Sequence, residues 1–463
     1  MIRKLRLPVL ITGLAVIAAA GLVAMPTPAG VQPEMMRAAA LVLVALALFA
    51  TNALPGHISA VAFLTFGMLC AVAPAETVFA GFSSTAVWLV FGGLIVGVAI
   101  RATGLGERMA LQLMRMLGTS YLQIIGGIMI ASMLFSFIMP ASLGRVVILM
   151  PIMLSLAEKL GFPIGSKGHA GLVVAAGFGT LIPAFTILPA NVPNMVLAGA
   201  AETTYGLHLS YGSYALLHAP MSGLGSALII FAVIMLMFRD TPKSVTTLAS
   251  AERRPWSADE KKLSWILGIS LVLWMTDGWH GISPAWVGMA GGLACMLPRI
   301  GVLPPSAFNE KVQFGGMFYV AGVLGLGAVV AQSGLGTALG HALMQALDLQ
   351  PGETARNFVS LILLYTLSGL ITTMPALPAV LTPLGNELAQ ATGFPLLTVL
   401  MLQVIGFSSI LLPYQMAPMV LSLQMGRLSY VNGVKATFAV TLSCLLLLTP
   451  LNYLWWRFLG YLS

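Results

Sequence analysis

Long apolar runs recur from one end of this chain to the other, and lipid is the only solvent that suits them. A hydrocarbon core of about 30 Å takes roughly 20 helical residues to cross. Runs read as membrane segments lie at about Leu7–Ala24, Arg37–Leu54, Ser59–Val72, Thr85–Thr103, Tyr121–Leu160, Gly168–Thr204, Tyr211–Phe238, Leu263–Thr276, Pro284–Arg299, Gly315–Ser333, Phe358–Thr392, Pro395–Met425 and Val434–Leu459. Charged residues make up 8% of the 463, against roughly 25% in a soluble globular chain. A water-soluble core has no room for the apolar remainder. Most of the 49 glycines and 27 prolines sit inside the runs, which membrane helices tolerate and soluble helices avoid.

The net charge of +8 raises nucleic acid as a partner, and the distribution of that charge argues for none. With the N-terminus in the cytoplasm, 18 of the 22 lysines and arginines fall on the inner side, among them Arg101, Arg108, Lys159, Arg239 and Lys262. Arg37, Arg356 and Arg457 fall outside, and Arg145 falls within the membrane. This is the positive-inside asymmetry of a multi-pass inner (plasma) membrane protein, with an external C-terminus. The basic N-terminus before an apolar run also has the form of a signal peptide; retained as a first helix, it gives the consistent charge map. Cys70, Cys295 and Cys444 stand in separate runs, without metal spacing or a disulfide framework.

The chain is internally duplicated. Gly104-Leu105-Gly106 returns as Gly334-Leu335-Gly336, and Met139-Pro140-Ala141 as Met374-Pro375-Ala376. Pro151 followed by Gly161-Phe162-Pro163 returns as Pro383 followed by Gly393-Phe394-Pro395. Gly177-Phe178 returns as Gly406-Phe407, Pro193 as Pro418, and Met195-Val196-Leu197 as Met419-Val420-Leu421. The order is kept at offsets of 224 to 235 residues, a register that chance likeness between apolar segments does not hold. The first repeat is entered from outside and the second from inside, so the halves are inverted. Inverted repeats are a hallmark of alternating-access transporters with a site near the midplane. The expected organisation is N-terminal scaffold helices over 1–80, a first repeat over 81–238, a cytoplasmic linker over 239–262, scaffold helices over 263–313 and a second repeat over 314–463.

Each repeat contains a segment that no single helix can fill. The first, about 121–160, is interrupted at Pro140 to Arg145; the second, about 354–392, at Thr372 to Pro378. Both read as re-entrant helical hairpins, whose broken backbone must be buried in protein or line an aqueous cavity. The following segments, about 168–204 and 395–425, read as broken transmembrane helices. Pro183, Pro189 and Pro193 flank Asn191 and Asn194 in one; Pro413 and Pro418 flank Gln415 in the other. Proline frees a carbonyl one turn back; freed carbonyls suit cations and half-helix N-termini suit anions.

Gly81-Phe82-Ser83-Ser84-Thr85-Ala86-Val87-Trp88-Leu89, the Thr103-Gly104-Leu105-Gly106 turn, Leu149-Met150-Pro151-Ile152 and the duplicated broken helices resemble the divalent anion/sodium symporter family, carriers of dicarboxylates, citrate and sulfate within the ion transporter superfamily. The likeness covers nearly everything after about Ala71. It implies a homodimer whose protomers pair a scaffold domain with a transport domain that moves as an elevator. It also implies Ser-Asn-Thr at both hairpin tips, for substrate carboxylates and sodium. Here those positions hold Ala141, Ser142 and Leu143, and Thr373, Met374 and Pro375. The family's Pro-Pro-Asn appears as Val192-Pro193-Asn194 and as Ala417-Pro418-Met419.

Arg145 stands at the first tip, where a charge in the bilayer costs at least about 2.5–3.5 kcal/mol and needs a partner. Two readings stand. The guanidinium contacts an anionic substrate and replaces a sodium ion, or it snorkels to the interface or caps backbone carbonyls. The six histidines are read as interfacial or loop residues, Asp277 and Glu202 as solvated at outer ends, and Trp455 and Trp456 as an interfacial anchor. Gln403 is read as an interhelical hydrogen bonder, and Gly93/Gly97 with Gly288/Gly292 as close-packing pairs.

The sequence therefore predicts an all-α polytopic membrane protein of two inverted repeats and a secondary transporter of small oxyanions, by symport or exchange, rather than an enzyme. The substrate chamber is assigned to Ser142, Arg145, Asn191, Asn194, Thr372, Thr373 and Gln415. Sodium is the candidate cofactor, near Ser142, Gly144, Gly179, Thr180 and Ser409. The rivals are a membrane-embedded enzyme, against which the acidic residues' confinement to loops and span ends counts, and a channel or scaffold subunit.

Overall fold

The computed structural model describes residues 2–28, 32–51, 53–114, 120–139, 142–243 and 255–462. Pro140 and Ala141 of the first interruption, and residues 244–254 of the linker, lie outside the described residues. Helices of eight residues or more are numbered here in chain order. α1 (Ile2–Ala24) packs on α2 (Pro33–Thr51), which is followed by α3 (Gly56–Leu69). The next succession is α4 (Thr85–Thr103), α5 (Leu105–Met114), α6 (Tyr121–Ile138), α7 (Ser142–Lys159), α8 (Lys167–Leu181) and α9 (Val192–Tyr205), closed by the long α10 (Tyr211–Met237). α11 (Ala258–Met275) and α12 (Pro284–Met296) lead into α13 (Gly315–Gln332), α14 (Leu335–Leu347), α15 (Thr354–Ser368), α16 (Leu377–Thr392), α17 (Leu396–Ser408), α18 (Ala417–Met425) and the long α19 (Tyr430–Phe458). No strand occurs among the described residues.

Local chemistry sets these boundaries. Ser120 and Gln123 form a capping box at the start of α6, as Ser257 and Glu260 do for α11. Gly104 and Gly334 take the left-handed conformation (φ 75° in both), which reverses the chain between α4 and α5 and between α13 and α14. Pro183 ends α8, and Pro413 begins the short turn between α17 and α18.

The order of elements from α4 to α10 recurs from α13 to α19. In both, the arms on either side of the interruption pack on the helix that follows more than on each other. α6 and α7 flank α8, while α15 and α16 pack on α17. α16 and α17 meet at 117°. Each half also docks an early helix on the other half, α3 on α13 and α12 on α4.

These docked pairs approach through glycine. Between α4 and α12 a Cβ on Gly92 would collide with the Gly288 carbonyl, and between α3 and α13 one on Gly322 would collide with Ala60; Gly81 and Gly325 bring residues 75–83 equally close to α13, against the Ala321 and Val78 carbonyls. Lipid is as apolar as the side chains, so such close backbone approach stands in for hydrophobic drive. The α4–α12 contact runs through Gly92, one residue before the expected Gly93.

Six helices among the described residues are long and apolar enough to cross a membrane, or seven if the bent pair α16 and α17 counts as one span. The span over Lys167–Thr186 is wholly buried within the protein. This is where an interrupted membrane helix has to be, since lipid cannot satisfy its loose backbone groups.

Candidate functional site

The site in the first half is built from backbone left over at two helix breaks. Met139 leaves helical geometry (φ −118°, ψ 102°) at the end of α6. Beyond α8 the chain passes through two short 3-10 turns, Pro183–Thr186 and Leu188–Ala190, then the extended Asn191, before α9 begins with Pro193 in its first turn. Carbonyls around such breaks lack the partners a continuous helix supplies.

Arg145, from the first turn of α7, supplies them. Its Nη1 donates to the Met139 carbonyl at 2.6 Å and to that of Ala190 at 3.0 Å. Its Nη2 donates to the Thr180 carbonyl at 3.0 Å and to Asn191 Oδ1 at 3.1 Å. Asn191 Nδ2 donates to the Leu181 carbonyl at 3.2 Å, and Asn194 Nδ2 to that of Ile187 at 2.8 Å. Arg145, Asn191 and Asn194 are each 0% exposed. Arg145 therefore does not snorkel. All four of its terminal N–H groups cap main-chain and amide oxygens, and only Nε is without a partner among the described residues.

The remaining predicted residues divide around this cluster. Ser142 is buried at the start of α7, with no side-chain hydrogen bond among the described residues. Gly144 lies against the Met139 side chain and Arg101, and Gly179 against Met129. The Thr180 carbonyl accepts from Arg145 and from the Ser136 hydroxyl at 3.2 Å. The Thr180 carbonyl does not suit a sodium ion, because it already accepts from a guanidinium whose charge repels a metal. Ser409 belongs elsewhere. It donates to the Ile405 carbonyl at 2.8 Å and lines a separate small cavity with Ser222, Ser226 and Thr441.

In the second half the same join is neutral. Gln415 Nε2 donates to the Gly369 carbonyl at 2.6 Å, and its Oε1 accepts from the Leu412 N–H at 2.7 Å. The Met374 N–H donates to the Gln415 carbonyl at 3.1 Å. In the repeat Met374 matches Met139, so the main chain closes directly where Arg145 bridges in the first half. Thr372 and Thr373 are buried beside this join, and both hydroxyls are without a hydrogen-bond partner among the described residues.

The two clusters are held in a crossed arrangement. α7 packs on α18, and α9 packs on α16, with Tyr205 donating to the Thr382 carbonyl at 2.8 Å. Gln403 joins Thr382 at 3.3 Å, the expected interhelical bond. Several side readings are corrected. Glu202 is no solvated end residue: it accepts from the Thr85 N–H and hydroxyl at 3.0 and 2.7 Å and caps α4. Asp277 is buried and accepts from Tyr211, Ser210 and Gly212 at the start of α10. His169, His218 and Trp456 are buried within the protein, and Trp456 packs on His218 and Phe358. Sequence reasoning missed Arg101 at the Gly144 tip and the carbonyls that receive Arg145.

Comparison with known proteins agrees with this fold. The family described as the sodium:sulfate symporter transmembrane region matches residues 8–462. An L-tartrate/succinate antiporter of Escherichia coli is 24% identical over 389 residues, covering 81% of this chain and 79% of the antiporter. A protein of Cupriavidus necator described as a membrane protein is 27% identical over 269 residues, 57% of this chain, and the match spans about half (52%) of that relative's length. The crystal structure of the Alcanivorax borkumensis YdaH transporter superposes over 99% of both chains with a TM-score of 0.55 at 16% identity, a likeness of fold. By the match across nearly its whole length, this polytopic helical membrane protein belongs to the sodium:sulfate symporter family.

Proposed function

We propose that this protein is a secondary active transporter that exchanges small oxyanions, dicarboxylates foremost, across the plasma membrane by alternating access. The observation that carries the reading is the Arg145 guanidinium at the join of the first hairpin and the first broken helix. A metal-coupled carrier needs oxygens free there for a removable cation; here a tethered cation holds them. A charge that cannot leave with the substrate suits exchange of one anion for another better than symport with sodium. The similarity to L-tartrate/succinate antiporters supports the same direction.

The recurring element order and the crossed docking of the halves support two inverted repeats, with the hairpins and broken helices moving as an elevator against a scaffold of α3, α4, α12 and α13. Pairing of two protomers and an inward N-terminus complete the reading. Ser142, Asn194, Thr372 and Thr373 are the polar groups left to meet the substrate.

Proteoliposomes test this. Uptake of labelled succinate or L-tartrate should require unlabelled dicarboxylate inside and should be the same in sodium as in choline. Uptake into empty vesicles driven only by a sodium gradient would overturn it.

A further inference from the structure

We infer that Arg101, rather than Arg145, grips the anionic group of the transported molecule. This rests on the reading of the protein as an oxyanion carrier. Arg145 has its four terminal donors committed to the fold. Arg101, in the last turn of α4, is exposed and makes no hydrogen bond or ion pair among the described residues. Its Nη1 would lie 3.4 Å from a Cβ on Gly144, so the guanidinium rests over the first turn of α7, which begins at Ser142.

The placement is fixed from below. The turn after α4 sits on both arms of the hairpin: a Cβ on Gly106 would meet Ile148 of α7 at 2.8 Å and Phe135 of α6 at 3.4 Å. Arg101 is thus carried to the tip by packing. Arg101 beside Gly144, and Arg145 one residue further along α7, then both stand at the start of that helix, and no carboxylate pairs with either among the described residues. With no carboxylate partner, the exposed Arg101 guanidinium is left open to an anion from outside the chain. The second half offers nothing equivalent. The repeat places Ala331 opposite Arg101, and Leu377 or Val380 opposite Arg145.

The charge is therefore concentrated at one hairpin, and the neutral hydroxyls of Thr372 and Thr373 lie at the other. The ligand this fits is a small oxyanion whose planar or tetrahedral head a guanidinium grips with two N–H groups. A carboxylate and a sulfate share that chemistry, and the test separates them.

Purified protein is treated with phenylglyoxal, and modification of the Arg101 peptide is followed by mass spectrometry in succinate, sulfate or chloride. Succinate or sulfate should slow modification by roughly tenfold at ten times its Kd, chloride should not, and whichever dianion protects identifies the head group. In exchange assays Arg101→Gln should raise the half-saturating concentration about 10- to 100-fold with an unchanged melting temperature, and Arg101→Lys should recover part of the loss. Equal modification in all three salts, or an Arg101→Gln variant that exchanges with unchanged half-saturation, overturns the inference. Protection by a dianion in a protein that exchanges none would sink the transport reading and leave the Arg101 site standing.

Discussion

Replacing Arg145 by alanine removes four donors from the oxygens of Met139, Ala190, Thr180 and Asn191. The site is 0% exposed at Arg145, so water does not stand ready to replace them. Hydrogen bonds to a charged group contribute about 1.5–3 kcal/mol each, which makes the gross loss roughly 6–12 kcal/mol. Against it stands the cost of holding a cation away from water, several kcal/mol. The balance is a net loss of about 3–5 kcal/mol, the range found when one partner of a buried charged arrangement is removed. The substitution also leaves a cavity lined by four oxygens, among which the Thr180 carbonyl keeps the Ser136 hydroxyl as a donor, and such a cavity suits a small monovalent cation. Thermal denaturation in detergent, followed by tryptophan fluorescence in sodium chloride and in choline chloride, reads both effects. The variant should melt well below the wild type, and sodium should restore part of the loss while leaving the wild type unmoved. Arg145→Lys should fall between, since an ammonium keeps the charge with fewer donors. An alanine variant that melts with the wild type and ignores sodium would refute the reasoning.

At the start of α11 the Arg108 guanidinium, bonded to Glu260 at 2.9 Å, holds that carboxyl down from the ordinary 4.5 to about 2, with the Ser257 cap assisting and burial opposing. A depressed carboxyl stabilises the fold above its unfolded value. The melting gap between wild type and Glu260→Gln should stay constant from pH 8 to 5 and close as pH falls from about 4.5 through 2; a gap that widens in acid would contradict this. Gly92→Leu should separate α4 from α12, because even a Cβ collides with the Gly288 carbonyl, and cost about 3 kcal/mol or more; a monodisperse, wild-type elution profile would count against it. Gln415→Leu should strand the Gly369 carbonyl and the Leu412 N–H and lower stability by about 1–3 kcal/mol, checked by the same melting assay.

Much of the architecture was legible in residue order. Apolar run length pointed to a membrane protein, because bilayer thickness is a fixed ruler, and six or seven helices among the described residues are long and apolar enough to cross. Proline marked the breaks at Pro183 and Pro413, because a missing N–H acts wherever the chain goes. The αL glycines at 104 and 334 follow from the duplicated Gly-Leu-Gly for the same local reason. Side-chain oxygens far apart in sequence were harder. That Glu202 caps α4, 117 residues before it, leaves no trace in either segment, because a carboxylate near a span end looks alike whether it meets water or a helix start.

By itself the sequence determined that lipid is the solvent, that one pattern of helices occurs twice, and that Arg145 had to find oxygen partners. Only the tertiary structure decided which oxygens. Three of the four belong to the backbone, and a carbonyl carries no residue signature, so nothing in the letters distinguishes Thr180 or Ala190 from their neighbours. Nor does spacing along the chain show that Arg101 rests on a hairpin tip some forty residues later; that follows from Gly106 seated between Phe135 and Ile148. Local periodicity and proline act through bonded neighbours and are written into the order of residues, while the satisfaction of a buried charge depends on which loose backbone ends packing brings within 3 Å.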